Sequence, residues 1–299
     1  MSTSKVPGMT ASLFASIPSP SDGVVHLGPV PLHMYGLMIA LGVVVAAKVG
    51  RTRYVKRGGD GDAFDSIAFW AVVGGVIGAR IYHVVTDYQL FRGHPENMVK
   101  IWQGGLGIWG GVLGGSLAVL VVARRHKAAF GPIADSIVPG LAFAQGIGRW
   151  GNWFNQELFG GPSKLPWAVE IDRAHRPSNY LNDTTFQPTF LYESMWCIAL
   201  GFALIALDRK FKFARGQLFA LYAAGYTFFR FFMEEMRVDP AHTIGPLRLN
   251  GWVSIVVFVV SIALFFFLGR RARTRAEPEG VGVASAGEPQ LDDGAAVEV

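Results

Sequence analysis

Seven apolar stretches, each about long enough to cross a bilayer, constrain this chain more than any other feature. They cover residues 32–47, 66–85, 104–123, 130–148, 189–207, 217–236 and 252–268. A hydrocarbon core of about 30 Å is crossed by about 20 mostly apolar helical residues. Inside it each backbone polar group must bond within the chain, so such runs fold as helices. The fourth and sixth stretches are the least apolar, because each carries polar groups at one end. Composition agrees with this reading. Of 299 residues, 51% are hydrophobic and 16% charged, against about 25% charged in soluble domains.

The loops set the expected orientation. Sixteen basic residues follow spans one, three, five and seven, among them Arg53, Arg57, Lys127 and Arg215. Only Lys5, Arg92, Lys100, Lys164, Arg173, Arg176 and Arg248 fall on the other side. Basic loops stay cytoplasmic, so the N-terminus faces out and the C-terminus in. Basic clusters beside apolar runs are membrane topology and not a nucleic-acid face, so the net charge of +5 implies no nucleic-acid partner. The single cysteine, Cys197, excludes an intrachain disulfide and a cysteine-rich metal site. No charged stretch leads into a compact apolar run before Pro18, so no cleaved signal peptide is expected.

The expected fold is an all-α polytopic membrane protein with seven transmembrane helices. An external N-terminal segment (1–30) leads into spans one to four (31–150). Residues 151–188 are too polar to span and too long for a turn, and are expected to form a small external head domain. Spans five to seven (189–269) follow, then a cytoplasmic tail (270–299) whose Gly, Ala, Glu and Asp predict disorder.

Four of the 27 basic residues are not explained by topology: Arg80, Arg149, Arg230 and Arg237. An arginine at the centre of a membrane helix costs about 2.5–3.5 kcal/mol on insertion scales, so four without partners would cost about 10 kcal/mol. Snorkelling, or ion pairs with Glu157, Glu193, Glu234 or Glu235, would relieve that cost. An anion held among them would do so too, because a guanidinium fork matches phosphate. Tyr226, Arg230, Glu234 and Arg237 recur at helical spacing and form one stripe. A stripe of this kind faces a bundle interior or a wet cavity. An Arg230–Glu234 pair would account for one arginine and cannot neutralise them all.

A second polar cluster, GIGRWGNWFNQELFGG at 146–161, places Arg149, Asn152, Asn155 and Glu157 where the chain leaves span four. Its glycines permit close approach of a phosphate or backbone. The run from Gly105 to Gly110 spells GxGxxG, but it opens a membrane span and follows no strand, which weakens a dinucleotide reading. A glycine-rich loop lining a lipid site, with Gly104 and Gly105, is the better expectation. The Gly74-x-x-x-Gly78 motif fits internal helix packing or dimerisation equally well.

The chain resembles the prolipoprotein diacylglyceryl transferases. The run GRWGNWFNQELFGGP is similar to that family's signature. So are HMYGLM (33–38), GARIYHV (78–84), WQGGLGIWGG (102–111), QPTFLYES (187–194) and FFRFFMEEMRVD (228–239). The resemblance follows family order over nearly everything except the tail. It implies a bacterial inner-membrane enzyme acting toward the outer leaflet. Such an enzyme moves the diacylglyceryl group of phosphatidylglycerol to the lipobox cysteine of a prolipoprotein signal peptide and releases glycerol 1-phosphate. The implied partners are phosphatidylglycerol, prolipoproteins and membrane lipids, with no cofactor and no metal. By resemblance, Arg149 binds the headgroup, with Asn152 and Gly160 in the same motif. Arg230 acts at the donor phosphate, and Tyr35, Tyr226, Glu234 and Arg237 match further functional positions. Asp135 and Glu157 match acidic positions that pair with these bases. The nucleophile belongs to the substrate, so Cys197 is expected to be a packing residue.

One departure stands out. Many members have His where Trp109 stands, and an indole has only a donor N–H. The thiol proton must go elsewhere, with Tyr35, a carboxylate, water or His33 as candidates. Two other classes would also place arginines in a bundle. A phospholipid or anion transporter would more often hold them near the midplane and carry repeats or broken helices. A noncatalytic scaffold would not need the span-six stripe.

Overall fold

The structure, a computed structural model, describes residues 16–28, 30–101 and 104–276. Among these residues are seven α-helices: α1 (Met34–Lys56), α2 (Gly61–Thr86), α3 (Ile108–Arg125), α4 (Phe130–Phe154), α5 (Thr189–Lys210), α6 (Gln217–Met236) and α7 (Leu249–Ala276). Helices α1, α2, α3, α5 and α7 are long and apolar enough to cross a membrane. The more polar α4 and α6 are central: α4 packs on α1, α5 and α6, and α6 also packs on α7. A helix surrounded by other helices can carry polar groups that a lipid-facing one cannot. Large apolar side chains on the outer faces, such as Phe69, Leu113 and Val259, lie exposed as hydrocarbon-facing groups would. The chain is a mostly helical, multi-pass membrane protein.

Several boundaries differ from those expected. Leu32 and His33, assigned above to the first span, belong instead to an antiparallel hairpin of β1 (Val24–Leu27) and β2 (Val30–His33). Helix α3 starts at Ile108, because Gly104 and Gly105 take left-handed φ values of 85° and 75° that end any helix there. Helix α4 runs to Phe154, so residues 151–154, assigned above to the head domain, are helical. Helices α1 and α5 continue into their basic clusters, where Arg53, Lys56, Arg209 and Lys210 complement the negative end of the helix dipole. Helix α7 likewise extends through Ala276, so residues 270–276 of the expected tail are helical. The remainder of that tail, 277–299, lies outside the described residues.

Small residues set the closest helix contacts. A Cβ placed on Gly74 would lie 2.8 Å from the Gly114 carbonyl oxygen, and one on Gly78 would lie 3.0 Å from the Gly114 Cα. The GxxxG motif therefore packs α2 on α3 within one chain. Residues 155–188 gather around Phe159, Val169, Ile171 and Phe186, with a short hairpin of β3 (Val169–Glu170) and β4 (Thr185–Phe186). Ile17 bridges to Val169, which ties the N-terminal segment to this unit. A third hairpin, β5 (Thr243–Ile244) and β6 (Leu247–Arg248), precedes α7.

Asp135 does not pair with an arginine of the expected site. Its Oδ2 accepts the Gly216 N–H at 2.6 Å and its Oδ1 the Phe219 N–H at 2.9 Å, so α4 caps the start of α6. The two donors would otherwise be orphans of a helix N-terminus. Asp135→Ala is expected to lower stability by about 1–3 kcal/mol, the cost of unsatisfied buried donors. Asp135→Asn should lose less, because one acceptor oxygen remains. Thermal unfolding in detergent micelles or nanodiscs distinguishes the two, and equal stability of Asp135→Ala and the natural chain would contradict the capping role.

Candidate active site

The stripe on α6 meets α4 and α5 at one end of the bundle. Arg230 Nη2 pairs with Glu234 Oε2 at 2.5 Å, one turn along, and Arg230 Nη1 with Glu193 Oε1 of α5 at 3.1 Å. Glu193 is shared, since its Oε2 pairs with Arg149 Nη2 of α4 at 2.7 Å. Arg149 Nη2 also donates to the Tyr226 hydroxyl at 3.2 Å. Glu234, fully buried, is shared further: Arg237 Nη1 lies 3.4 Å from Oε2 and Arg248 Nε lies 3.2 Å from Oε1. Asp239 closes the chain, holding Arg237 through both carboxylate oxygens at 2.7 and 2.8 Å and Arg248 at 3.0 Å.

The network thus holds four guanidiniums and three carboxylates, an excess of one positive charge. Each arginine is paired, yet the set is not neutral. Arg149 is the least enclosed of the four arginines, with 19% of its side chain exposed, against 14% for Arg230 and 8% for Arg237. Glu193 was expected only as a possible ion-pair partner, and Arg248 was counted with the outer loop charges. Their apolar surroundings in the sequence were the available signal for Glu193. For Arg248 there was none, because the turn that folds it back on Glu234 lies between two short strands.

A second group adjoins the first. Asn152, one turn beyond Arg149 on α4, is buried and donates from Nδ2 to Glu157 Oε1 at 2.9 Å. Glu157 also faces the Asn155 amide at 3.5 Å, and accepts from asparagines where a pairing with bases was expected. The Tyr35 ring packs on Gly151, the residue before Asn152 on α4. Gln156 and Leu158, on either side of Glu157, hold left-handed φ values of 51° and 60°. Such values cost about 1–2 kcal/mol per L-residue. Neighbouring bonds sustain them: the Gln156 side chain donates to Pro20 O and Asp172 and accepts the Asp172 N–H, while Leu158 O accepts from Thr189. The strained turn directs the Glu157 carboxylate back toward Asn152. A cavity of about 410 Å³ is lined by Glu157 of this group and Asp239 of the other, with His175 and Arg176 from the 155–188 unit.

The remaining expected residues lie elsewhere. Arg80, counted above with the unexplained arginines, donates to four backbone carbonyls, those of Asn97, Met98, Gly104 and Gly105. It organises the loop before α3: Gly105 sits on Arg80 and His83, and the Gly104 carbonyl accepts from Arg80, so neither glycine meets the arginine network. Gly160 is wedged between Gln187 and Met236 and bridges to Arg237, so it fastens the end of α6 to the 155–188 unit. Trp109 is exposed near the start of α3. Cys197 is buried one turn beyond Glu193 and packs near Gly146.

Two outcomes follow from these pairings. Glu234→Ala would leave Arg230, Arg237 and Arg248 short of a buried partner, and is expected to cost about 3–5 kcal/mol of stability. Thermal unfolding that matched the natural chain would contradict this. Burial pushes the Asp239 carboxyl up, but the Arg237 hydrogen bonds and the charges of Arg237 and Arg248 outweigh it and hold the group below the usual carboxylate range. A depressed carboxyl contributes stability above its unfolded pKa, about 3.9, which is lost as pH falls through the folded value. Asp239→Asn is therefore expected to be less stable than the natural chain at pH 7, with the gap closing below about pH 4. A gap unchanged down to pH 2 would refute the assignment.

Known proteins with related sequences bear on what this geometry does. The family profile described as prolipoprotein diacylglyceryl transferase matches residues 22–267. A phosphatidylglycerol–prolipoprotein diacylglyceryl transferase of Cutibacterium acnes is 49% identical over 259 residues, covering 86% of this chain and 88% of the relative. One from Streptomyces griseus is 50% identical, covering 83% and 76%, and a second from Streptomyces coelicolor is 47% identical, covering 83% and 80%. The match takes in six helices whole, most of α7 and both polar groups of the site, and on that extent of agreement the chain belongs to the prolipoprotein diacylglyceryl transferase family.

Proposed function

We propose that the chain transfers the diacylglyceryl group of phosphatidylglycerol to the lipobox cysteine thiol of prolipoproteins. The sulfur attacks the glycerol carbon bearing the phosphate. A C–S bond forms, the C–O bond breaks, and the thiol proton is lost as glycerol 1-phosphate departs. The product is a thioether. The observation that carries this reading is the single surplus positive charge of the four-arginine, three-carboxylate network that joins α4, α5 and α6 to the segment before α7. A phosphodiester carries one negative charge, and the departing phosphate gains a second as the C–O bond lengthens. Cations fixed beforehand in a poorly solvated site stabilise that developing charge more than the ground state.

Arg149, the more open end of the network, holds the headgroup phosphate together with Tyr226, and Arg230 meets the leaving oxygen. Glu193, Glu234 and Arg237 keep these two guanidiniums in place. Tyr35, Asn152 and Glu157 supply the polar groups beside the attacking thiol. The cavity at Glu157 and Asp239 lies at the edge of the network, is lined by neither Arg149 nor Arg230, and falls within the size range of ligand sites, about 300–1,000 Å³. Gly104 and Gly105 act at a distance by shaping the loop before α3, and Gly160 by fixing the end of α6. Family membership favours this reading over phospholipid or anion transport.

In the proposed topology all seven helices cross the bacterial inner membrane, with the N-terminus outside and the C-terminus inside. The arginine network then faces the outer leaflet, and residues 155–188 form the external head domain. The basic ends of α1, α3, α5 and α7 support that orientation. Reconstitution with phosphatidylglycerol and a lipobox peptide tests the reaction as a mass gain of one diacylglyceryl group on cysteine. Arg149→Ala is expected to reduce turnover by about 10²–10³-fold or more, the scale for loss of one charge-stabilising donor, while folding persists. Near-natural turnover would exclude Arg149 from the headgroup site.

A further inference from the structure

At the opposite end of the bundle lies a second cavity, of about 330 Å³. Three separate loops build it. Arg57 comes from the α1–α2 turn, His126 and Lys127 from the α3–α4 turn, and Arg215 from the segment before α6, while Tyr54 is among its apolar lining residues. The one acid in the lining is Asp60, whose Oδ1 already accepts the Asp62 N–H and caps α2. Two neighbouring acids are engaged as well. Asp135 caps α6, and Asp208 is shared by Arg53 and Arg57. Among the described residues, Lys127, His126 and Arg215 have no ion-pair partner.

A positive-inside bias explains basic loops, but not their convergence on one cavity. Lys127 is held there by a left-handed φ of 53°, an unfavourable conformation for a lysine, and its turn is fixed by the Lys127 and Ala128 N–H groups donating to Arg124 and Ala123. Arg215 packs its Cβ over Gly131, in the first turn of α4. That turn has Ala129 as its N-cap, no side-chain acceptor and no acidic residue. Cations beside the positive end of a helix dipole repel it. The cavity therefore concentrates positive potential from side chains and backbone, with Asp60 the one acid among its lining residues.

We propose that this cavity binds a phosphate group, and that the phosphate belongs to the headgroup of an anionic phospholipid in the leaflet opposite the active site. Phosphate fits the donor set, since guanidinium, ammonium and uncapped backbone N–H groups all match its oxygens. The place of the cavity, between the ends of membrane-crossing helices, favours a lipid. Val55 and Phe130, sequence neighbours of the lining residues Tyr54 and Ala129, are exposed large side chains at the same end of the bundle. Basic pockets at this depth between membrane helices suit such headgroups. Because Arg57 also holds Ser136 and Asp208, occupancy would brace α1 against α4 and α5.

The test uses the full chain in phosphatidylcholine nanodiscs with rising fractions of phosphatidic acid, or with inorganic phosphate added to the buffer. Unfolding temperature and the number of retained anionic lipids are measured for the natural chain, Lys127→Gly and Arg215→Gln. The outer-end arginines are common to all three, so differences report this cavity. Phosphatidic acid at about a hundredfold over its dissociation constant is expected to raise the natural chain's midpoint by roughly 5 °C and to add one retained lipid. Lys127→Gly should unfold no lower than the natural chain in phosphatidylcholine alone, since glycine adopts that φ freely. It should nevertheless lose at least half of the lipid-dependent rise, as should Arg215→Gln. Variants that gain as much as the natural chain would overturn the site. An equal rise with inorganic phosphate alone would overturn its assignment to a lipid.

Discussion

Two buried carboxylates, Glu193 and Glu234, hold the active end of this molecule together. Each bridges arginines from different parts of the chain: Glu193 joins α4 to α6, and Glu234 joins α6 to the strand before α7. Neither would be stable alone in so apolar a place, and neither would the arginines. Sharing resolves the conflict, since one carboxylate oxygen pair can face two or three guanidinium forks. The same sharing leaves the group one positive charge in surplus. Structural need and chemical capacity are thus met by the same residues.

Helix α4 connects the two ends of the bundle. At one end it carries Arg149 and Asn152 into the site, and at the other Asp135 and Ser136 anchor the start of α6 and the arginines of α1. A helix with so many polar commitments cannot face lipid, and contacts with α1, α5 and α6 surround it. At the exit from α4, Gln156 and Leu158 hold strained backbone that aims Glu157. Backbone strain at such a point persists only where the surrounding structure overdetermines it, and here four hydrogen bonds do so.

Much of the fold was legible in the sequence because hydrocarbon leaves the backbone few options. The positions of the helices followed from apolar runs, and the α6 stripe from its spacing. Helix ends were less legible: α1 continues nine residues beyond the last expected apolar position, Ala47, because a helix need not stop where a membrane does. The hairpin before α1 was hidden by its apolar residues, which read equally as helix. Arg80 shows a different limit. Its partners are backbone carbonyls, which no pattern of side chains reveals, so it looked like a member of the anion site. Arg248 shows the converse, a residue that counted as loop charge until the chain folded it onto Glu234.

The central claim is that the surplus guanidinium charge is reserved for the phosphate of the donor lipid. A structure with phosphatidylglycerol bound tests it most directly. The account predicts phosphate oxygens at about 2.7–3.2 Å from guanidinium nitrogens of Arg149 and Arg230, with Glu193 still bridging the pair. A phosphate seated elsewhere, with both arginines turned only toward their carboxylates, would contradict it.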